Sequence, residues 1–244
     1  MINKVHLGDC LELMKDIPVG SIDMILCDLP YGTTACKWDV IIPFAKLWEQ
    51  YERIIKDNGA IVLTASQPFT SALVMSNPKI FKYSWVWEKN KASNIFMSKY
   101  APMKKHEDVC VFYKNKPFFS PIKVPRSESG RSRAEYLHNP SNTGKREFIK
   151  GFKQTESIKY DEDLKNPESI IYFNNEVGLH PTQKPVALFE YLIKTYTNEG
   201  DTVLDNCAGS GTTGEACINT NRNYILMEKE QKYFDIINDR LMFL

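Results

Sequence analysis

Asp28-Leu-Pro-Tyr31 brings together residue types that suit the handling of an amine. The apolar run Ser21-Ile-Asp-Met-Ile-Leu-Cys27 before it reads as a buried strand, so Asp28 falls where that strand stops. Pro30 fixes its own φ and biases Leu29 toward extended angles, which lets the Asp28 carboxylate and the Leu29 carbonyl point together. Tyr31 adds a flat face on which a base could stack. A second stretch with chemical content is Thr202-Val-Leu-Asp-Asn-Cys-Ala-Gly-Ser-Gly-Thr-Thr-Gly214, read as a strand ending at Asp205, a glycine turn and a helix. Gly209 and Gly211 allow backbone angles and close approach that a Cβ would forbid, and ligands of open α/β sheets bind beyond such strand ends.

Three readings compete for the glycine turn. A triphosphate-cradling loop needs a Lys after its second Gly, and here Gly214 runs into Glu215. A dinucleotide turn fits the spacing of Gly209, Gly211 and Gly214, and an ordinary strand-to-helix turn also uses glycines. After a helix-compatible run to Asn219, the strand Tyr224-Ile-Leu-Met227 ends in Glu228, an acid placed to hold ribose hydroxyls. Strand, turn, helix, strand and acid together describe an adenosine-type ligand with a sugar and no necessary phosphate.

Asp205-Asn-Cys-Ala-Gly-Ser-Gly-Thr-Thr, preceded by His180-Pro-Thr-Gln-Lys-Pro185 and matched with Asp28-Leu-Pro-Tyr31, resembles the S-adenosylmethionine-dependent DNA amino-methyltransferases, in particular their β class. In that class the catalytic tetrapeptide comes first, a target-recognition region follows and the cofactor loop comes last, which is the order here. The resemblance covers residues 1 to 115 and 179 to 244. It implies Asp28, Leu29, Pro30 and Tyr31 as the catalytic run. It also implies S-adenosyl-L-methionine as cofactor, held by Asp9 and Cys10 at the adenine, by His180, Thr182 and Lys184 at the methionine end, and by Asp205, Cys207, Gly209, Gly211, Thr212 and Glu228 around the turn. The family usually carries Pro where Leu29 stands.

The elements that must position these residues alternate in type. Val5-His-Leu-Gly-Asp9 reads as a strand leading to a helix that Asp9 caps. Pro43 opens a helix with Phe44, Leu47, Trp48, Tyr51, Ile54 and Ile55 inward, which Asn58-Gly59 closes. Ala60 to Leu63, Phe81 to Trp87 and Val109 to Tyr113 read as strands, with a helix starting at Gln67-Pro68. Val186 to Tyr196 and Tyr233 to Leu241 are further helices. The expected fold is α/β: a doubly wound, mostly parallel Rossmann-like methyltransferase sheet with an antiparallel edge hairpin and an inserted target-recognition region. Gly32 to Asp39 reads as a mobile loop beside the site.

From Lys116 to Glu176 the periodicity disappears, and 116–178 is taken as the insert between catalytic segments 1–115 and 179–244. Residues 89 to 153 hold fifteen Lys or Arg against five Asp or Glu, whereas the whole chain has a net charge of only +1. Charge segregated in this way points to a phosphate backbone, and Lys91, Lys123, Arg126, Arg131, Arg133, Lys145 and Arg146 are the expected DNA contacts. Phe118, Phe119, Tyr136, Phe148 and Phe152 interleave with them. The six cysteines form no C-x-x-C pair, so reduced thiols and no metal are expected. No run of about 18 apolar residues occurs, and a soluble, cytoplasmic prokaryotic or phage protein is expected, with no membrane segment.

Methyl transfer from a sulfonium needs alignment more than acid or base. Acceptors on both N–H groups of the target amine, the Asp28 carboxylate and the Leu29 carbonyl, would aim its lone pair at the methyl of a flipped base. Cytosine C5 chemistry needs a thiolate after a Pro, and the chain has no Pro-Cys. Adenine N6 in double-stranded DNA is the expected target, because relatives acting on cytosine N4 often carry Ser where Asp28 stands. The alternatives are cytosine N4, a DNA-binding relative without turnover, and an RNA or protein substrate. Relatives of this class are often homodimers.

Overall fold

The computed structural model describes residues 1–34, 36, 38–138, 161–176, 178 and 183–244. In chain order the elements are β1 (Lys4–Leu7), α1 (Cys10–Leu13), β2 (Ile22–Asp28), α2 (Phe44–Ile54), β3 (Ile55–Ala65), α3 (Phe69–Ser76), β4 (Phe81–Ser93), β5 (Lys104–Phe112), β6 (Val124–Pro125), α4 (Glu128–His138), β7 (Leu164–Lys165), β8 (Ile170–Phe173), α5 (Val186–Tyr196), β9 (Thr202–Asp205), α6 (Thr212–Asn219), β10 (Asn223–Glu228) and α7 (Gln231–Met242).

Among the described residues, eight strands form one sheet in the order β1-β10-β9-β2-β3-β5-β4-β8. Within it β5 alone runs against its neighbours, pairing antiparallel with both β3 and β4. The alternating sheet and helices are the expected α/β arrangement, with β4 and β5 as the antiparallel hairpin and β8 added beyond it in parallel to β4. From β2 the chain moves outward through β3, and from β9 it moves the opposite way through β10, so the order reverses between β2 and β9. That reversal opens a crevice at the carboxyl ends of the two strands.

The central strands are short apolar runs because both faces are covered. Met24, Ile25, Leu26 and Cys27 of β2 and Val203 and Leu204 of β9 are fully buried. One face packs against α2 through Leu47, Trp48, Tyr51 and Ile54; the other packs against α5 through Leu188, Phe189, Leu192 and Ile193. Burial of each such side chain is worth about 1.5–3 kcal/mol, so the layers hold the strand ends in register.

Two local readings of the sequence are corrected. Asn58-Gly59 does not close α2. The helix stops at Ile54, and the pair lies within β3, where the register against β2 shifts between Ile22 and Met24 and the extra residues are taken up as a bulge. The stretch from Lys116 to Glu176 is also not structureless. It carries α4, the β6–β7 pair and β8, and β8 belongs to the large sheet. The chain divides into two compact units, Met1–Ser120 with Ser169–Leu244, and Pro121–Glu168, so the second unit lies inside the 116–178 boundaries.

Candidate active site

Parallel pairing brings the ends of four strands level. Leu7 of β1 pairs with Glu228 of β10, Leu226 with Asp205 of β9, and Ile25 of β2 with Leu204. Their carboxyl ends line one cavity of about 860 Å³, bordered by Asp9, Asp28, Tyr31, Lys184, Asp205 and Glu228. The two sequence stretches richest in chemical groups, 177 positions apart at Asp28 and Asp205, therefore face one space.

Asp28, the last residue of β2, is held from both sides. Its Oδ1 accepts from the Tyr31 hydroxyl at 2.8 Å and from the Thr64 hydroxyl on β3. Its Oδ2 accepts from the Lys184 ammonium at 2.6 Å. Burial, reinforced by the Asp28 charge, pushes the Tyr31 phenol well above its ordinary value, so the hydroxyl stays a donor. The Tyr31 ring stacks on Phe69 with centroids 5.0 Å apart, so one of its faces is already covered. Leu29 packs in the core, 4% exposed.

Lys184 is itself 6% exposed and also lies 3.4 Å from Glu107 Oε2, an ion pair without hydrogen-bond geometry. Glu107 Oε1 in turn accepts from Lys89. Asp28, Lys184, Glu107 and Lys89 thus form a row of alternating charges from β2 to β4. Burial alone would raise the Glu107 carboxyl, but the Lys184 and Lys89 ammoniums outweigh it and hold that carboxyl below its usual value. For Lys184 burial works downward, yet Asp28 and Glu107 raise it, so it is a cation. Lys184 borders the cavity, where two protein carboxylates, Asp28 and Glu107, share its charge.

The glycine turn is braced by acids. Asp205 accepts from the Cys207 N–H at 3.0 Å and from the Thr213 hydroxyl, and burial lifts its carboxyl to about 6. Glu228 accepts from the N–H groups of Gly209 at 2.8 Å and Glu230 at 2.9 Å, and burial raises it as well. Gly209 and Gly211 have φ of 55° and 83°, in the left-handed region that favours glycine. A Cβ on Gly214 would stand 2.8 Å from Leu226 and Leu241, so this glycine lets α6 press against β10 and α7. Asn206 is fastened to α2 by the Tyr51 hydroxyl at 2.5 Å. The Thr212 hydroxyl donates to the Lys184 carbonyl at 3.2 Å, which docks the segment before α5 onto the turn.

Asp9 caps α1, accepting from the Leu11 N–H at 2.9 Å, and lines the cavity with Cys10. Gly32 to Asp39 is tied rather than loose where it is described: the Asp39 carboxylate accepts from the N–H groups of Gly32, Thr33 and Thr34 at 2.7 to 2.9 Å. His180, Thr182, Lys145 and Arg146 lie outside the described residues, as do Phe148 and Phe152. In the second unit Lys123 pairs with Asp161 at 3.0 Å, Arg126 donates to the Asp161 carbonyl, and Arg131 lies 3.4 Å from Asp163. Arg133 and Lys91 are exposed. Phe119 packs on Tyr196 with centroids 5.9 Å apart while staying 42% exposed. Thr64, Lys89 and Glu107 were not singled out in the sequence; the available signal was a charged residue inside each of two apolar strands.

This geometry, a strand-end Asp-Leu-Pro-Tyr run sharing a cavity with a glycine turn and a strand-end acid, coincides with a family match over residues 22–239 to the DNA methylases of the N6 and N4 type. The chain belongs to that family. The methylase is similar to the type II methyltransferase M.HpaI of Haemophilus parainfluenzae, with 27% identity over 99% of this chain and 74% of that one. It is likewise 27% identical to the DNA adenine methyltransferase YhdJ of Escherichia coli strain K12, over 93% and 78% of the two chains. Among solved structures it resembles the M1.HpyAVI complex with SAM, at 26% identity and a TM-score of 0.65, covering 98% of this chain and 99% of that one. No described helix of the methylase is long and apolar enough to cross a membrane.

Proposed function

We propose that the methylase transfers a methyl group from S-adenosyl-L-methionine to the N6 amine of an adenine turned out of double-stranded DNA. The observation that carries this reading is the shared cavity. Asp28 and Tyr31 stand at one part of it, and Glu228, Asp9 and the Gly209–Gly211 turn stand at another. The donor set fits an adenosine: Glu228 is a buried carboxylate at a strand end, the turn exposes backbone at left-handed glycines, and no Lys follows the turn to demand a phosphate. When bound, the cofactor supplies an activated methyl on a sulfonium.

The chain's own residues supply alignment. Asp28 and the Leu29 carbonyl accept from the two N–H groups of the target amine, which frees its lone pair from the ring and directs it. Thr64, Tyr31 and Lys184 fix the Asp28 carboxylate before substrate arrives, so little reorganisation remains for the reaction. The similarity to a DNA adenine methyltransferase and the Asp at position 28 both favour adenine over cytosine N4. Lys91, Lys123, Arg126, Arg131 and Arg133 form the proposed phosphate-binding set. A cytoplasmic location and a homodimer accompany the reading, and sedimentation tests the second.

The deciding experiment is nucleoside mass spectrometry of DNA from cells expressing the wild type or Asp28→Ala. N6-methyladenine in the first and none in the second is expected. N4-methylcytosine alone would overturn the base assignment, and methylation by Asp28→Ala would overturn the mechanism.

A further inference from the structure

The β4–β5 hairpin ends at the rung Ser93 to Lys104, and residues 94–103 project beyond it. Asn94 turns the chain with a left-handed φ of 64° and leads into a single 3-10 turn, Ile95–Met97. This tip carries the most exposed aromatic side chains among the described residues, Phe96 at 94% and Tyr100 at 83%. An aromatic ring offers roughly 150–250 Å² of surface, and leaving two of them in water gives up most of the burial energy available to them. Such exposure is explained when something else covers the rings.

The surrounding charge identifies what covers them. Residues 89 to 105 hold five lysines and no acid. Lys89 is committed to Glu107 and Lys105 to Glu88, while Lys91 and Lys99 are exposed and Lys104 lines the cavity. Ser93 and Asn94 line it too, so the base of the tip is part of the rim around Asp28 and Tyr31. Flat apolar faces framed by cations match a polymer of stacked rings framed by phosphates. A second copy of the tip would bring its own Lys91, Lys99 and Lys104 and repel it.

Resting on the reading of the chain as a DNA base methylase, we propose that this tip is a wedge that enters the duplex stack beside the target. Phe96, supported by Tyr100, fills the space vacated when the base turns into the cavity, and Lys91, Lys99 and Lys104 hold the flanking phosphates. Unstacking a base step is unfavourable, and an inserted apolar side chain offsets that cost.

The test uses two duplexes carrying the site mapped in DNA from expressing cells, one fully paired and one with an abasic position opposite the target base. Phe96→Ala should lower kcat/KM on the paired duplex by roughly tenfold, recover most of that loss on the unpaired target, and retain wild-type cofactor binding, while Phe96→Trp keeps activity on both. The same activity for Phe96→Ala and wild type on the paired duplex overturns the wedge. So does an equal loss on both duplexes, which would make the tip a general affinity surface, and so does conversion of a dimer to a monomer by Phe96→Ala in sedimentation. A wild type that methylates no DNA at all brings down the functional reading and the wedge with it, whereas the preceding outcomes, obtained with an active wild type, remove the wedge alone.

Discussion

The Lys184 ammonium stands 2.6 Å from Asp28 Oδ2, joining residues 156 positions apart across the cavity floor. Removing one partner of a buried pair strands the other's charge and typically costs about 3–5 kcal/mol. Lys184→Met leaves both Asp28 and Glu107 without their shared cation, so its urea midpoint should fall by more than that of Glu107→Gln. In the double variant one of the two stranded charges is gone, so the losses should be less than additive. Additive losses would mean that Lys184 and Glu107 act independently.

Cofactor binding should depend on the acids at the ends of β9 and β10 for different reasons. Glu228→Ala removes a carboxylate that faces the cavity, and Asp205→Ala releases the turn by freeing the Cys207 N–H and the Thr213 hydroxyl. With ligand at a hundred times its Kd, the wild type should gain about 2.7 kcal/mol of stability, read as a concentration-dependent rise in Tm. Calorimetry should find binding weakened in both variants. Unchanged binding in Glu228→Ala would remove that residue from the cofactor site.

The buried Asp205 carboxyl also sets a pH dependence. Its value near 6 lies above the ordinary 3.8, so the folded protein binds this proton more tightly than the unfolded chain does. The associated stability is fully present below about pH 4 and is lost as the pH rises through about 6. Asp205→Asn cannot titrate. The Tm of the wild type minus that of the variant should therefore decline between those two pH values, and a difference that rises instead would contradict the assignment.

DNA affinity should fall with salt by a log-log slope of roughly −0.9 per phosphate contact. Arg131→Ala with Arg133→Ala should flatten that slope in a fluorescence-anisotropy titration. Asp163→Asn, which frees Arg131 from its 3.4 Å partner, should steepen it. A slope indifferent to all three substitutions would move the phosphate-binding surface elsewhere.

Strand ends were legible in the sequence because each combines a buried apolar run with a polar stop. Asp28, Asp205 and Glu228 each terminate such a run, and the sheet then brings those ends together. The row Lys89, Glu107, Lys184 and Asp28 was not legible, since nothing local couples residues on β4, β5, the lead into α5 and β2. Asn58-Gly59 carried the right residue types for a helix stop, but the pairing of Ile55 with Ile22 already draws the chain into β3. Ile170 to Phe173 is too short to declare itself within a polar stretch; its place beside β4 is decided by tertiary pairing.

The reversal of strand order between β2 and β9 also governs how the chain is completed on the ribosome. β2 finds β3 soon after synthesis, but its other edge waits for Val203 and Leu204, and β1 waits for β10. Until those residues emerge, the nascent chain carries a largely apolar strand with one unsatisfied edge, which exposes it to wrong pairing or chaperone capture. The acids of the cavity are therefore brought level only after Glu228, 200 positions beyond Asp28, has been made.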